Sequence, residues 1–257
     1  MTKNTTTRTA LITGASSGIG MELAYIYARN GYNLILTARR KERLEVIKND
    51  INEHYTVSVT IIESDLSETD NAENLYKKTA GNQVNVLINN AGVGVYGVFE
   101  DVDIEKEEKM LILNIITLTK LTRLFAKDMI KFGDGNIVNV ASTAAFQAVP
   151  SMASYAASKA YVLSFSEAIA NELNKFNIKV TAICPGATQS EFADNAKMNK
   201  KIFKGAPTAK ELAEFTYQAM KKGKVTAIHG IKNNIMTFAL RLSPRKINTI
   251  VAARIME

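Results

Sequence analysis

Short apolar runs alternate with amphipathic helical patterns along nearly the whole chain. Seven runs predict strands, at residues 10–12, 33–37, 57–62, 84–89, 136–140, 179–184 and 225–228. Helical patterns follow them, at residues 21–30, 39–53, 68–78, 103–132, 151–176 and 208–221. Strands that are apolar along their whole length and are joined by helices are typical of a parallel sheet covered on both faces. The sequence therefore predicts an α/β fold with one doubly wound, parallel sheet of about seven strands.

No repeat, linker or low-complexity segment divides the 257 residues, so we expect a single domain. Its core spans residues 9–228, and a cationic amphipathic tail follows at residues 231–257. The first eight residues are polar, so no signal peptide is expected, and no apolar run approaches the ~20 residues of a membrane span. The one cysteine, Cys184, allows no internal disulfide and is expected in the core, which predicts a reducing, cytoplasmic location.

A glycine-rich turn joins the first predicted strand to the first helix. It runs from Thr13 through Gly14 and Gly18 to Gly20. Glycines let backbone N–H groups approach an anion, and the amino end of a helix favours negative charge, so the turn indicates a phosphate site. The spacing differs from the usual dinucleotide fingerprint G-x-G-x-x-G. A turn that merely packs the helix against the strand is the alternative.

Tyr155 and Lys159 are four residues apart in a helical pattern, so they stand on one face as neighbours. A nearby ammonium favours the phenolate and lowers the pKa of a tyrosine from about 10. Such a phenol can transfer a proton near neutral pH. An ordinary surface pair of tyrosine and lysine is the alternative.

Six spaced motifs resemble the short-chain dehydrogenase/reductase family in its classical form, which has a Rossmann-type fold. They cover about residues 9–188 and comprise Thr13-Gly14-x-x-x-Gly18-x-Gly20, Asn89-Asn90-Ala91-Gly92, Asn114, Ser142, Tyr155-x-x-x-Lys159, and Pro185-Gly186 with Thr188. The resemblance implies an oxidoreductase that moves a hydride between a nicotinamide cofactor and a carbonyl or secondary alcohol.

The resemblance also implies roles for individual residues. Tyr155 would be the general acid or base, and Lys159 would lower its pKa and bind ribose hydroxyls. Ser142 would hydrogen-bond the substrate carbonyl, and Asn114 would hold a water that relays protons to Lys159. Asp65 would bind the adenine amine, and Thr188 the carboxamide. The full set of implied cofactor contacts is Gly14, Ser16, Ser17, Gly18, Ile19, Gly20, Arg39, Arg40, Asp65, Leu66, Asn90, Ala91, Gly92, Tyr155, Lys159, Pro185, Gly186 and Thr188.

The end of the second predicted strand indicates which cofactor is bound. An acidic residue there would bind the ribose of NAD, whereas arginine accommodates the 2′-phosphate of NADP. This chain has Ala38 where the family's NAD-selecting aspartate would be, followed by Arg39 and Arg40. We therefore expect NADP(H), with Arg39 as the main contact and Arg40 as help. Ser17 departs from this pattern, since many NADP-using relatives carry a second basic residue there.

Residues 92–97, 142–152 and 188–204 are expected to surround the substrate. The side chains there are mostly apolar, namely Val93, Val95, Tyr96, Phe99, Phe146, Val149 and Phe192, which indicates a hydrophobic carbonyl compound. Methionines and phenylalanines elsewhere are expected in the core. His54 and His229 show no metal-ligand spacing, so no metal is predicted.

Two other functions compete with an enzyme. One is a nucleotide-binding sensor or scaffold with little turnover. The other is a membrane-associated or nucleic-acid-binding protein, which the net charge of +7 and the cationic tail would suit. The tail can lie on an anionic membrane, cover the substrate cleft or form a subunit interface. We favour a lid or an interface. The family resemblance implies a homodimer or homotetramer built through the helices at 103–132 and 151–176. No basic stripe interleaved with aromatic residues indicates nucleic acid.

Overall fold

In a computed structural model that describes residues 7–196, 198 and 203–256, seven strands form one sheet. They are β1 Thr9–Thr13, β2 Asn33–Ala38, β3 Val59–Glu63, β4 Val84–Asn89, β5 Gly135–Val140, β6 Ile178–Cys184 and β7 Thr226–Ile228. The order is β3-β2-β1-β4-β5-β6-β7, and every pair of neighbours is parallel. The predicted doubly wound sheet is confirmed.

The helices connect and flank these strands. They are α1 Gly18–Arg29, α2 Lys41–His54, α3 Asn71–Lys78, α4 Ile104–Leu111, α5 Leu118–Phe132, α6 Ala153–Asn174, α7 Phe192–Asn195, α8 Ala209–Lys221, α9 Ile231–Leu242 and α10 Arg245–Met256. The predicted helix at 68–78 begins three residues late, because Asp65 caps a turn by accepting hydrogen bonds from Ser67.

Alternate residues of each strand face opposite layers of helices. In β1, Ala10 and Ile12 pack with α1, α2 and α8, whereas Leu11 packs with α3 and α5. The strands are mostly apolar because both faces of the sheet are covered. Burial of these two cores supplies the main driving force for folding.

The chain reverses direction across the sheet between β3 and β4, so β1 and β4 are neighbours in the middle. In such sheets, ligands bind beyond the carboxyl ends of the strands at this point. The glycine turn follows β1, and the segment from Asn90 to Gly92 follows β4. The topology therefore places both motifs at the mouth of one cleft.

A buried polar network joins β4 and β5 to the helices beside them. Asn89 Nδ2 donates to Asn139 Oδ1 and to Thr122 Oγ1, both at 2.9 Å. Asn139 Nδ2 donates to Ser166 Oγ at 2.9 Å. These bonds from Asn89 and Asn139 tie the sheet to the helices that cover it.

The predicted helix at 103–132 is continuous, but a π-helical segment, Ile112–Thr117, separates α4 from α5. Single π turns are rare and occur frequently at functional sites. Here the segment contains Asn114, which is buried. The helix is thus widened at the residue to which the sequence assigned a catalytic role.

The tail folds as two helices, α9 and α10, separated at Ser243 and Pro244. Residues 197 and 199–202 of the predicted pocket segment 188–204 lie outside the described residues, as does residue 257. Among the residues that the structure describes, no helix is long and apolar enough to cross a membrane.

Candidate active site

Three glycines shape the turn between β1 and α1. Gly14 and Gly18 have φ values of 67° and 54°, in the left-handed region that favours glycine. A Cβ atom on Gly20 would lie 2.3 Å from the carbonyl oxygen of Gly14 and 2.5 Å from Asn90 Nδ2. Bare backbone therefore lines the amino end of α1, where N–H groups and the helix dipole favour an anion.

Thr13 and Asn90 hold this turn against the end of β4. The backbone N–H groups of Asn90 and Ala91 donate to Thr13 Oγ1 at 3.0 and 2.9 Å. Asn90 Nδ2 donates to the carbonyl oxygens of Thr13 and Gly14, at 2.9 and 3.3 Å. The Asn90 side chain thus shapes the turn from within.

Tyr155 and Ser142 meet inside the cleft. The Tyr155 ring is buried in the first turn of α6, with its centroid 5.4 Å from that of Phe192. The Ser142 side chain lies near its hydroxyl, and Ser142 Oγ accepts the backbone N–H of Ala144 at 3.1 Å. Burial raises the pKa of Tyr155 to about 12, against a smaller lowering effect of the nearby Ser142 side chain. The phenol is therefore protonated at neutral pH and available as a proton donor.

Lys159 lies one turn further along α6 and is buried as well. Its Nζ donates to the carbonyl oxygen of Val140 at 2.8 Å and lies 5.8 Å from the centroid of the Tyr155 ring. Burial lowers the pKa of Lys159 to about 8. The expected lowering of the Tyr155 pKa is not seen in this structure, because desolvation of the phenol dominates and the ammonium stands over the ring face.

Lys159 should make stability depend on pH. Its folded pKa of about 8 lies below the ordinary 10.5, so between these values the unfolded chain binds more protons and the free energy of unfolding rises with pH. Tyr155 opposes this only above its ordinary pKa of 10.0. From pH 7 to 10, stability should rise relative to a Lys159→Met variant, by about 1.4 kcal/mol for each unit of pKa difference realised.

Thermal unfolding of both proteins at several pH values measures this difference. Lys175→Met, at the exposed end of the same helix, controls for the removal of one lysine. A difference that stays constant from pH 7 to 10 would contradict a titrating, buried Lys159.

Asn114 fastens the loop after β4 to the helices behind it. Its Oδ1 accepts the backbone N–H of Val93 at 3.2 Å, and its Nδ2 donates to Val93 O at 3.0 Å and Ser158 Oγ at 3.2 Å. A Cβ atom on Gly92 would lie 3.1 Å from Asn114 Oδ1 and 3.3 Å from Lys159 Nζ. The side chain therefore positions Gly92 beside the ammonium, and the implied water relay stays a prediction.

Arg40 lies over the glycine turn. Its Nη2 donates to Ser17 Oγ at 2.8 Å and to Ser16 Oγ at 3.2 Å, and its Nη1 forms a 2.8 Å ion pair with Glu191 Oε2. Arg43 binds the same carboxylate. Hydrogen bonds from Arg43 and, less strongly, from Arg40 lower the pKa of Glu191 to about 2 despite some burial. Sequence reasoning missed Glu191, which no local pattern distinguishes.

Arg39 and Asp65 line the cleft beyond β2 and β3. Asp65 Oδ1 accepts the backbone N–H and the hydroxyl of Ser67, at 3.0 and 2.7 Å. Partial burial opposes ionisation of Asp65, but these bonds and the charge of Arg39 lower its pKa overall. Arg39 is exposed, and its role as the main cofactor contact stays a prediction.

Pro185, Gly186 and Thr188 follow β6 and line the opposite wall. Thr188 Oγ1 donates to Gly186 O at 3.1 Å. A Cβ atom on Gly186 would lie 2.6 Å from Nδ2 of Asn233 in α9, so the tail packs directly on this turn. Only the fold brings Asn233 here, and the sequence offered no signal for it.

A single cavity of about 860 Å³ connects these walls. Of the predicted site residues, all but two line it. Gly20 lies beneath the turn, and Asn114 lies behind Gly92. Cys184 is fully buried, and burial raises its pKa to about 12, which agrees with an inert core thiol.

The predicted substrate residues divide into two groups. Val93, Val95, Val149 and Phe192 line the cavity. The predictions for Tyr96, Phe99 and Phe146 were wrong. Tyr96 is turned away and donates its hydroxyl to Met256 O at 2.9 Å, Phe99 is 77% exposed, and Phe146 packs beside Leu118 and Val162.

The remaining apolar wall comes from further residues of the expected pocket segments 142–152 and 188–204, and from the tail. They are Met152, Met198, Phe203, Met236, Ile255 and Met256. The apolar pattern of the tail was the signal that could have found the last three.

The order of the strands and the position of the cleft define the class of fold, an α/β protein with the doubly wound sheet of dinucleotide-binding domains. Sequence comparison gives the family. The profile of the family described as short chain dehydrogenase matches residues 8–201. The chain belongs to this family, as its motifs predicted.

Individual relatives agree with this assignment. A "Dehydrogenase/reductase SDR family protein 7-like" of Drosophila melanogaster is 29% identical over 97% of this chain and 81% of its own length. The 7beta-hydroxysteroid dehydrogenase of Clostridium sardiniense is 32% identical over 69% of this chain and 68% of its own. The structure of a short-chain dehydrogenase from Sphingobium yanoikuyae in complex with NADPH has a TM-score of 0.84 at 30% identity, and the match covers 91% of this chain and 93% of the other.

Proposed function

We propose that the protein is an NADP(H)-dependent oxidoreductase that interconverts a carbonyl group and a secondary alcohol on a hydrophobic small molecule. The observation that carries this proposal is the position of Ser142, Tyr155 and Lys159 in the same cavity as the glycine turn. A nucleotide at the turn and a substrate against Val149 and Phe192 would meet beside the Tyr155 hydroxyl.

The bare backbone of the cleft fits a dinucleotide. A side chain at Gly14 would place its Cβ 2.9 Å from the Ala91 Cα, and one at Gly92 would crowd Lys159 Nζ. These glycines leave a backbone-lined path from the amino end of α1 to Lys159. Residues at the turn would hold the phosphates, and Lys159 with Thr188 would hold the nicotinamide half.

The bound cofactor supplies or accepts a hydride at its nicotinamide ring. In reduction, Tyr155 Oη donates its proton to the developing alkoxide, and the Ser142 hydroxyl hydrogen-bonds the same oxygen. The burial that keeps the phenol protonated at neutral pH suits this direction. Lys159 holds positive charge over the ring and favours the phenolate left after proton transfer.

Arg40 supports NADP(H) over NAD(H). Its guanidinium is fixed at the rim of the glycine turn, and no carboxylate occupies the end of β2. A phosphate monoester on the adenosine ribose would compete with Glu191 for the same donors. Charge-assisted bonds from Arg40, and from Arg39 beside it, would then select the phosphorylated cofactor.

Titration with NADPH and NADH, followed by nucleotide fluorescence, tests this choice. We expect a preference for NADPH of tenfold or more, about 1.4 kcal/mol. Arg40→Ala and Arg39→Ala should each reduce the preference for NADPH. Arg43 also binds Glu191 but does not line the cavity, so Arg43→Ala should retain the preference. Equal binding of the two nucleotides would contradict NADP(H) selection and leave the catalytic assignment standing.

The cavity supports a bulky apolar substrate, since valine, methionine and phenylalanine side chains line it together with Tyr155. A relative whose name specifies hydroxysteroids points the same way. A panel of ketones should show kcat/KM rising with apolar size up to that of a steroid.

The proposed assembly is a dimer or tetramer through α4, α5 and α6, where Ile116 and Tyr161 are exposed.

A further inference from the structure

The outward face of α9 is apolar. Ile231, Ile235, Phe238 and Leu242 follow one another at spacings of four, three and four residues, so they form one stripe along the helix. Their exposed fractions are 80%, 65%, 63% and 75%. The buried position on the other side, Thr237, is polar. The usual arrangement, with the apolar stripe toward the core, is therefore reversed.

The second tail helix repeats this arrangement. In α10, Ile247, Ile250, Val251 and Ile255 are each about half exposed, whereas Asn248 and Ala252 are buried. Asn248 Nδ2 donates to Leu240 O at 3.0 Å and so fastens α10 to α9. Apart from Met256, which is buried, small and polar side chains attach the two helices, and large apolar ones are left on the surface. These exposed apolar side chains of α9 and α10 are called the patch below, and exposed apolar surface of this kind marks an interaction site.

The charge around this patch has one sign. Lys232, Arg241, Arg245, Lys246 and Arg254 are all exposed, and no acidic residue occurs between residues 231 and 256. None of the five forms an ion pair within the described part of the chain. The occupant of the patch must therefore offer apolar surface and negative charge together.

A second copy of the chain fits these requirements poorly. A two-fold contact places the same patch on both sides, and would bring five cations against the same five without an anion between them. An anionic bilayer offers acyl chains to the stripes and phosphate groups to the cations. Each helix has 12 residues, so each suits the plane of the interface rather than a crossing.

We infer that α9 and α10 form a docking surface for an anionic lipid bilayer. Met236 and Ile255, which are partly exposed on these helices, also line the cavity. The docking surface is thus continuous with the apolar wall of the cavity. A hydrophobic substrate dissolved in the bilayer could enter without crossing water. The inference concerns binding alone and does not depend on turnover.

Flotation of the purified full chain with lipid vesicles tests this inference. We expect binding to vesicles of phosphatidylcholine with phosphatidylglycerol, at least about tenfold stronger than to phosphatidylcholine alone, and weakened by added salt. A Phe238→Ser, Leu242→Ser variant should lose about tenfold or more in affinity, because two large apolar side chains no longer insert. An Arg241→Glu, Arg245→Glu variant should lose the preference for anionic lipid.

A Phe99→Ser, Ile104→Ser variant is the matched control, since these side chains lie outside α9 and α10 and are similarly exposed, at 77% and 71%. It should bind vesicles like the unsubstituted protein. All the substituted residues are exposed, so the folds should persist, which circular dichroism and thermal unfolding verify. Equal binding to both kinds of vesicle would overturn the inference. So would a loss of vesicle binding in the control variant equal to that in the Phe238→Ser, Leu242→Ser variant. Dissociation of an oligomer by the tail variants, without a change in vesicle binding, would assign the surface to a second copy.

Discussion

Replacement of Tyr155 by phenylalanine is expected to lower kcat for ketone reduction by about 10²–10⁴-fold, with the Kd for NADPH unchanged. The variant removes only the hydroxyl that donates the proton. The ring keeps its contact with Phe192 and stays under the Lys159 ammonium. Stability should change little, because Ser142 retains its bond from the Ala144 N–H. Turnover with a ketone panel and nucleotide fluorescence measure the two quantities separately.

Tyr161→Phe is the control for this experiment. Tyr161 lies on the same helix, and its hydroxyl is hydrogen-bonded to Thr119 at 3.0 Å outside the cavity. Its loss should leave kcat unchanged. If Tyr155→Phe kept most of its turnover, the phenol would not be the proton donor. If the protein served its cell equally well without this hydroxyl while still binding NADPH, a sensor would be the better description.

Gly20→Ala should weaken NADPH binding by about a hundredfold, because the loss of two charge-assisted hydrogen bonds costs at least about 3 kcal/mol. The new methyl group would lie 2.3 Å from Gly14 O and 2.5 Å from Asn90 Nδ2. The first of these is backbone and cannot rotate away, so the turn must move. Its N–H groups would then leave the position that a pyrophosphate requires. Overpacking should also lower the free energy of unfolding by about 1–3 kcal/mol.

Gly97→Ala serves as the comparison. A Cβ atom there would meet Val102 at 3.4 Å, an ordinary contact, and Gly97 has no positive φ. It should bind NADPH normally and unfold at nearly the same temperature. An unchanged Kd for NADPH in the Gly20→Ala variant would show that nucleotide binding does not depend on this turn.

The fold could be predicted from the sequence because its signals are local. In β1, Ala10, Leu11 and Ile12 are all apolar since each faces one of two covered sides, and this pattern recurs in every central strand. The spacing of Tyr155 and Lys159 within one helix likewise survives folding unchanged. Such features need no knowledge of what lies across the sheet.

The electrostatics and the far wall of the site could not be predicted in this way. Whether Lys159 lowers the Tyr155 pKa depends on the burial of both groups, which only packing determines. The Arg40–Glu191 ion pair joins the glycine turn to a distant loop. The amphipathic pattern of the tail allowed its apolar stripe to face either the core or solvent, and in the structure the stripe of α9 faces solvent.

The π-helix at Ile112–Thr117 has a consequence for how this chain can vary. A π turn holds one residue more than an α turn, since its hydrogen bonds join residues five apart rather than four. Deleting one residue here would therefore restore a regular α-helical turn, and would leave Leu121 and Phe125 on the sheet and Met110 in its own cluster. The same deletion within α4 or α5 would rotate one half of the helix by about 100° relative to the other. This segment is thus where the helix can lose a residue and keep the packing on either side of it, and the residue whose position would change is Asn114.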